Sequence, residues 1–331
     1  MTEPTLDIVA IGNAIVDVIA QADDGFVTGE GVAKGSMRLM DEATSDSLYS
    51  RMGPGREISG GSAANTVAGM AAMGAKCGFI GQVADDQLGE VFTHDIRANG
   101  VVFDTPARSG QPSTARCLIL VTPDAQRTMN TFLGASQFLP EAAIDRDQIA
   151  SARILYLEGY LWDPAEPRAA MQAAIRIAHE AGRKVAFTLS DTFCIARHGD
   201  DFRKQIAAGA FDILFANESE LLALTGGDDF DAAVQEIAAQ VETLVVTRGS
   251  DGAVAVQNGQ RAQVSAEPID RIVDTTGAGD LFAAGFLAGQ VQGRSLEDSL
   301  HMGAIAAAEI ISHYGARAEA KLDELIRAKL G

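Results

Sequence analysis

Val273-Asp274-Thr275-Thr276-Gly277-Ala278-Gly279-Asp280-Leu281-Phe282-Ala283-Ala284-Gly285-Phe286 is the stretch from which the rest of the chain can be read. Residues up to Val273 read as the end of a strand, the glycines as a tight turn, and the apolar run as a helix starting near Gly279. The first amides of such a helix have no partner within it, and the positive end of its dipole faces the loop. Glycines there let an anion's oxygen come close to those amides. A loop built only to hold anions has no use for a carboxylate, yet Asp280 lies in it. Asp280 makes sense as a general base beside a migrating phosphoryl group, taking a proton from a hydroxyl. The plain alternative is an ordinary helix start with an acidic first turn.

Working outward, the same strand–turn–helix rhythm recurs. Short apolar runs at Ile8 to Ile11, Cys77 to Ile80, Ile154 to Leu157, Val185 to Leu189, Ile213 to Phe215 and Leu244 to Thr247 read as buried strands. Helical patterns lie between most of them: Ala63 to Met73 capped by Ser62, Glu166 to Ala181, Phe202 to Ala208, Glu218 to Leu224 and Ala232 to Gln240. Repeated units of this kind build an α/β fold, a mostly parallel, doubly wound sheet with helices on both faces. Two stretches break the rhythm. Val16 to Ala20 runs into Gly-rich sequence through Gly35, and Thr114 to Val121 can pair with Arg127 to Leu133 across Thr122-Pro123-Asp124-Ala125. Both read as strands of a small β-sheet lid, formed by about 13–40 and 101–137 and inserted in the course of a single domain over 1–331.

Bulk properties narrow the function. The 331 residues are 47% hydrophobic, enough for a sizeable core, and carry a net charge of -19. Such a surface repels nucleic acid and anionic membranes, so neither is an expected partner. Cys77, Cys117 and Cys194 are scattered, with no zinc or disulfide spacing, and Met1-Thr2-Glu3-Pro4 lacks the features of a signal peptide. Runs such as Ile305 to Ala308 are too short to span a bilayer. The expected location is cytoplasmic.

Three further segments place polar groups where open α/β sheets carry their sites. In Ile58-Ser59-Gly60-Gly61-Ser62-Ala63-Ala64-Asn65, the glycines expose main-chain amides and Asn65 can both donate to and accept from a sugar diol. Read as packing alone, the segment is a turn and a tight helix. Asp17 follows Gly12-Asn13-Ala14-Ile15-Val16, and alternation turns it to the face opposite Val16 and Val18; it is a ligand for vicinal hydroxyls or a solvated edge residue. Asn217-Glu218-Ser219-Glu220 follows a buried strand and suits a hydrated magnesium ion, or simply caps a helix. Thr247-Arg248-Gly249-Ser250-Asp251-Gly252 fits a nucleotide contact or a hairpin turn. There is no Gly-x-x-x-x-Gly-Lys-Ser/Thr, no Gly-x-Gly-x-x-Gly after the first strand, no nucleophile elbow, and no metal-ligand spacing among the five histidines.

Taken together, the order and spacing of these segments resemble the ribokinase-like, or PfkB, carbohydrate and nucleoside kinases over essentially the whole chain. Gly60-Gly61 with Asn65 is similar to the family's first signature, Asp274 to Asp280 to its second, and Asn217-x-x-Glu220 to its magnesium motif. The resemblance implies an ATP-dependent phosphotransferase with Asp280 as base and the amides of Gly277, Ala278, Gly279 and Asp280 as an anion hole. It implies substrate contacts at Asp17, Gly60, Gly61 and Asn65, and ATP contacts at Asn217, Thr247, Gly249, Gly277 and Gly279. Magnesium would be held through water by Asn217 and Glu220, and a potassium ion by Asp274, Thr276 and Gly315. The late helix departs from relatives that place Asn or His near adenine, reading Gly303-Ala304-Ile305-Ala306. Within the family the likeness is greatest to adenosine kinases: Gln126-Arg127-Thr128-Met129-Asn130, Tyr156-Leu157-Glu158-Gly159-Tyr160 and Leu189-Ser190-Asp191-Thr192-Phe193 carry it, and no Asp-x-Asn-x-Arg stands at Thr188 to Thr192. By that likeness Arg127 reaches the transferred phosphate and adenosine is the substrate, with a ribose- or fructose-like sugar as the alternative. The other expected partner is ATP, with the chain a monomer or a homodimer through the lid. A regulator that had lost catalysis would be expected to lack Asp280 or the glycines, and a purely structural protein explains none of these polar strand ends.

Overall fold

Leu6–Ile11 forms the first strand, β1, and its side chains enter two different cores. Ile8 and Ala10 pack on one face of the sheet, Val9 and Ile11 on the other. Both faces are buried, which is why these strands read as unbroken apolar runs. The computed structural model describes residues 3–124 and 126–331; Met1 and Thr2 of the N-terminal segment and Ala125 of the expected turn lie outside the described residues.

In chain order there follow β2 (Ile15–Gln21), α1 (Asp24–Gly29), β3 (Met37–Leu39), α2 (Glu42–Arg51), β4 (Gly55–Gly60), α3 (Ser62–Ala72), β5 (Cys77–Ile80), α4 (Gln87–Ala98) and β6 (Val101–Val102). Next come β7 (Ala115–Val121), β8 (Arg127–Phe132), α5 (Arg146–Ser151), β9 (Ala152–Glu158), α6 (Ala165–Glu180), β10 (Lys184–Thr188), α7 (Thr192–Ala207), β11 (Ile213–Asn217) and α8 (Glu218–Thr225). The last part holds α9 (Phe230–Ala238), β12 (Thr243–Thr247), β13 (Ala253–Gln257), β14 (Gln260–Val264), α10 (Ala278–Val291), α11 (Leu296–Ile310) and α12 (Leu322–Leu330).

Nine strands form the large sheet in the order β14-β13-β12-β11-β10-β9-β1-β5-β6. It is parallel from β6 to β12, and β13 and β14 are added antiparallel. Helices α3, α10 and α11 cover one face, and α6 to α9 the other. This is the mixed α/β architecture of ribokinase-like kinases. Helix α7 starts at Thr192, ten residues before the expected Phe202, because the Asp191 side chain accepts from the Cys194 amide and caps it. No strand ends at Val273. The chain from Ser265 to Gly277 is irregular, tied to α11 where Val273 N donates to Ile311 O at 2.8 Å.

The second sheet has five strands in the order β3-β8-β7-β2-β4. Strands β7 and β8 pair antiparallel as the hairpin expected from the sequence. Gly55–Gly60 also belongs here, although it lies outside both expected ranges, while Val101–Val102, inside one of them, is the edge of the large sheet. Gly-Arg-Glu-Ile-Ser-Gly has no apolar run to advertise a strand; pairing with β2 makes it one. One face of the small sheet, with Val16, Val18 and Leu118, joins the main core. The other carries Asp17 and looks across at Gly315, where an added Cβ would lie 3.8 Å from Ile19 and 3.9 Å from Ile58. Among the described residues no helix is long and apolar enough to cross a membrane.

Candidate active site

Two glycine turns bring the polar residues together. Gly61, at φ +98°, caps α3, and a Cβ there would lie 2.1 Å from the Asn13 carbonyl oxygen, so only glycine fits. Ser62 is therefore not the cap that its position suggests. It stands in the first helical turn, and its Oγ donates to Asp280 Oδ1 at 2.6 Å. Asn65, on the same turn, donates through Nδ2 to Asp280 Oδ2 at 2.9 Å. The second turn is Gly277, at φ +77°, which caps α10; a Cβ there would meet Ala316 Cβ at 2.9 Å. Within α10 the Leu281 amide donates to Gly277 O at 2.8 Å, so Gly279 and Asp280 precede that bond. The Ala278 amide, expected in the anion hole, donates instead to Thr275 O at 3.2 Å. Gly279 has nothing within 4 Å of a Cβ position and opens onto free space.

Burial raises the pKa of Asp280, against the lowering influence of Ser62, Asn65 and Arg317. Asp17 is pushed up to about 6, chiefly by burial, with Arg317 and Arg127 opposing and Asp280 adding to the rise. Gly60 makes room for it, since a Cβ there would fall 2.5 Å from the Asp17 carboxylate. Sequence reasoning assigned no role to Glu158, which is fully buried beneath this group. It accepts from Asn13 N at 2.7 Å, Asn13 Nδ2 at 2.6 Å and Ala63 N at 2.8 Å, tying β1 and β9 to the start of α3. Burial lifts its pKa to about 7.

A cavity of about 460 Å³ lies on the other side of the α10 turn, lined by Thr247, Gly249, Thr275, Ala278, Gly279 and the apolar side chains of Ile269, Ile272, Phe282, Ala304, Ala307, Ala308 and Ile311. Thr247 and Gly249 thus join the site although their segment is also the turn between β12 and β13. Ala304, Ala307 and Ala308 of α11 with Ile311 just beyond it follow helical spacing, while Ile269 and Ile272 sit in irregular chain. Small residues stand on α11 where relatives place Asn or His, so that wall of the cavity is apolar.

The metal expectations fare differently. Asn217 and Glu220 form a capping box: Asn217 Oδ1 accepts from Glu220 N at 2.9 Å, and Glu220 accepts from Asn217 N at 3.0 Å and from Asn217 Nδ2. Burial holds Glu220 up at about 7. A magnesium ion that keeps its waters and is held mainly by phosphates can still be reached from this pair through water. The residues expected at a potassium ion lie together around Asp274. Asp274 is buried, pairs with the Arg127 guanidinium from β8, and accepts from Thr276 N at 3.0 Å and Gly315 N at 3.1 Å. The Asp274 carboxylate thus faces a guanidinium and two backbone amides. Among the described residues no group of three or more His, Cys, Asp or Glu could hold a metal. Arg127 accordingly sits against Asp274, at the head of the glycine loop.

Residues 6–322 match the model of the pfkB family of carbohydrate kinases. The crystal structure of adenosine kinase from Sinorhizobium meliloti is 47% identical, with 98% of this chain and 99% of that chain covered and a TM-score of 0.90. That of a probable sugar kinase from Rhizobium etli is 46% identical, with 98% of each chain covered and a TM-score of 0.91. A fructokinase from Klebsiella pneumoniae is 28% identical over 259 residues, 77% of this chain and 84% of that protein.

Proposed function

The chain belongs to the pfkB family of carbohydrate kinases, and we propose that it transfers the γ-phosphoryl group of ATP to the 5′-hydroxyl of adenosine, giving AMP and ADP. Kinases of this family phosphorylate hydroxyl groups with ATP; the choice of acceptor is our reading.

The observation that carries it is the face of the small sheet around Asp17. In register across the strands, Asp17 stands in a row with Cys117, Thr131 and Leu39. The next row on the same face is Ile19, Ile119, Met129 and Met37. Leu39 is 62% exposed and Met37 49%. A ribose diol gripped by Asp17 and Asn65 would leave a nucleobase free to cover this apolar surface, whereas a hexose would leave it bare. The likeness to the Sinorhizobium adenosine kinase supports the same reading.

In this reading the small sheet acts as a lid that excludes water. A carboxylate has about four lone-pair sites, so Asp280 can accept from the 5′-hydroxyl while keeping Ser62 and Asn65. The 5′-oxygen attacks the γ-phosphorus, the bond to the β–γ bridging oxygen breaks toward ADP, and the hydroxyl proton passes to Asp280. The amides at the start of α10 and the Arg127 guanidinium face the charge that develops. The adenine of ATP occupies the alanine-lined cavity, with Thr247 and Gly249 at its rim. Asn217 and Glu220 would hold a magnesium ion through its waters, and that ion would supply neutralisation of phosphate charge.

The test is a panel of acceptors with ATP and magnesium. Adenosine should give the highest kcat/KM, and 2′-deoxyadenosine should lose about 1.5–3 kcal/mol of transition-state stabilisation through one missing charge-assisted hydrogen bond. Turnover of ribose or fructose with none of adenosine overturns the assignment in favour of the sugar reading, which the likeness to the Rhizobium protein favours.

A further inference from the structure

Arg317 lies between α11 and α12, outside every motif that the sequence advertises. Its Nη1 donates to Asn65 Oδ1, and its Nη2 donates to Ser59 Oγ at 2.9 Å. Ser59 is held in turn by Asp95 of α4, whose Oδ2 accepts from Ser59 N at 2.8 Å and from Ser59 Oγ at 2.5 Å. One guanidinium therefore joins the end of β4, the middle of α4 and the first turn of α3. Its Nε is buried and has no hydrogen-bond partner among the described residues. An incompletely satisfied buried charge is a poor device for stability, so its retention calls for another reason.

The chemistry of an amide supplies one. With Oδ1 taken by the guanidinium, the Asn65 side chain can only present Nδ2 to Asp280. The groups that act on Asp280 and Asp17 come from several elements: Asp17 from β2, Tyr156 and Glu158 from β9, Tyr160 just beyond it, Ser62 and Asn65 from α3, Arg127 from β8 and Arg317. Arg317 is the cation that acts on both aspartates. Arg127 acts on Asp17 while paired to Asp274.

We propose that Arg317 is a positioning residue for phosphoryl transfer: it fixes the Asn65 amide so that Nδ2 faces Asp280, and it places a positive charge beside the Asp17 and Asp280 carboxylates. The proposal rests on Asp280 as the base, and it is independent of which hydroxyl compound is the acceptor.

Arg317→Met and Arg317→Lys are compared with wild type by thermal unfolding and by pH profiles of kcat/KM. The acceptor is whichever of adenosine, ribose and fructose wild type turns over fastest, so failure of adenosine counts against the substrate assignment alone. Arg317→Met should lower kcat/KM by about 10- to 100-fold through misplacement of Asn65. Its acid limb should also move up by about one pH unit, because an opposite charge no longer favours the ionised carboxylates. Arg317→Lys keeps the charge but loses the fork that holds Ser59 and Asn65 together, so its rate should fall with the acid limb in place. A folded Arg317→Met enzyme with its acid limb unmoved overturns the proposal, whatever its rate, because a purely structural role would give that result. If Arg317→Met does not fold, Arg317→Lys decides: a lowered rate with an unmoved limb supports the proposal, and wild-type kcat/KM overturns it.

Discussion

Helices α8 and α10 both begin with an acidic first turn, and they use it in opposite ways. At α8, Asn217 and Glu220 bond to one another's side chains and amides, and Glu220 is left 5% exposed. At α10 the cap is Gly277, no side chain closes the turn, and the carboxylate of Asp280 is held by Ser62 and Asn65 from α3. A helix start that satisfies its own amides keeps nothing for an anion, whereas an open one retains both its donors and its dipole. The acidic residue of one helix start is thus held by its own helix and that of the other by a second helix.

The largest effect expected from this contrast is on Asp280. Asp280→Asn keeps size and helix start but cannot accept the proton, so kcat should fall about 10²- to 10⁴-fold. Thermal unfolding should change little by comparison. A kcat near wild type would reduce Asp280 to an acidic first-turn residue with no part in the proton transfer.

The two glycines of the α10 turn should then separate conformation from ligand contact. Gly277→Val meets both a positive φ and Ala316, and should cost at least about 1–3 kcal/mol of stability, read from denaturant unfolding. Gly279→Ala meets no protein atom, so stability should hold while the KM for ATP rises, because the methyl group faces the cavity. Equal loss of stability in the two variants would mean that the turn serves folding alone.

The smallest effect belongs to α8 and appears with pH. Folded Glu220 keeps its proton to about pH 7, chiefly because of burial, while an unfolded chain releases it near the usual glutamate value of 4.5. The folded state therefore binds more protons between those values, and this group's contribution to stability falls as pH rises through the window. Glu220→Gln should flatten that part of a stability–pH curve, measured by denaturant midpoints at constant salt. An unchanged slope would show that Glu220 is ionised in the folded protein and that the capping box tolerates its charge.

How much of this could be read in advance varies by residue. The strands of the large sheet were legible because they are buried on both faces, which forces unbroken apolar runs such as Val9 to Ile11. Strand β4 was not, since Arg56 and Glu57 hide it; it is a strand through its ladder to β2. Asp17 and Asp280 stood out as carboxylates in apolar or glycine-rich surroundings. Glu158 and Arg317 did not, because nothing within a few residues marks a buried acid or a bridging arginine.

By itself, then, the sequence determined the alternation of strand and helix, the two glycine turns and the residue that serves as the proposed base, since each depends on neighbours a few positions away. Only the tertiary structure decided what those residues face. Asp280 is 215 positions from Asn65, and Asn65 is 252 from Arg317. Arg127 of β8 meets Asp274 in the irregular chain before α10, a contact between residues far apart in sequence. Hydrogen bonds and charge act over a few ångströms of space, and the separation along the chain of the groups they join leaves no periodic trace in the sequence.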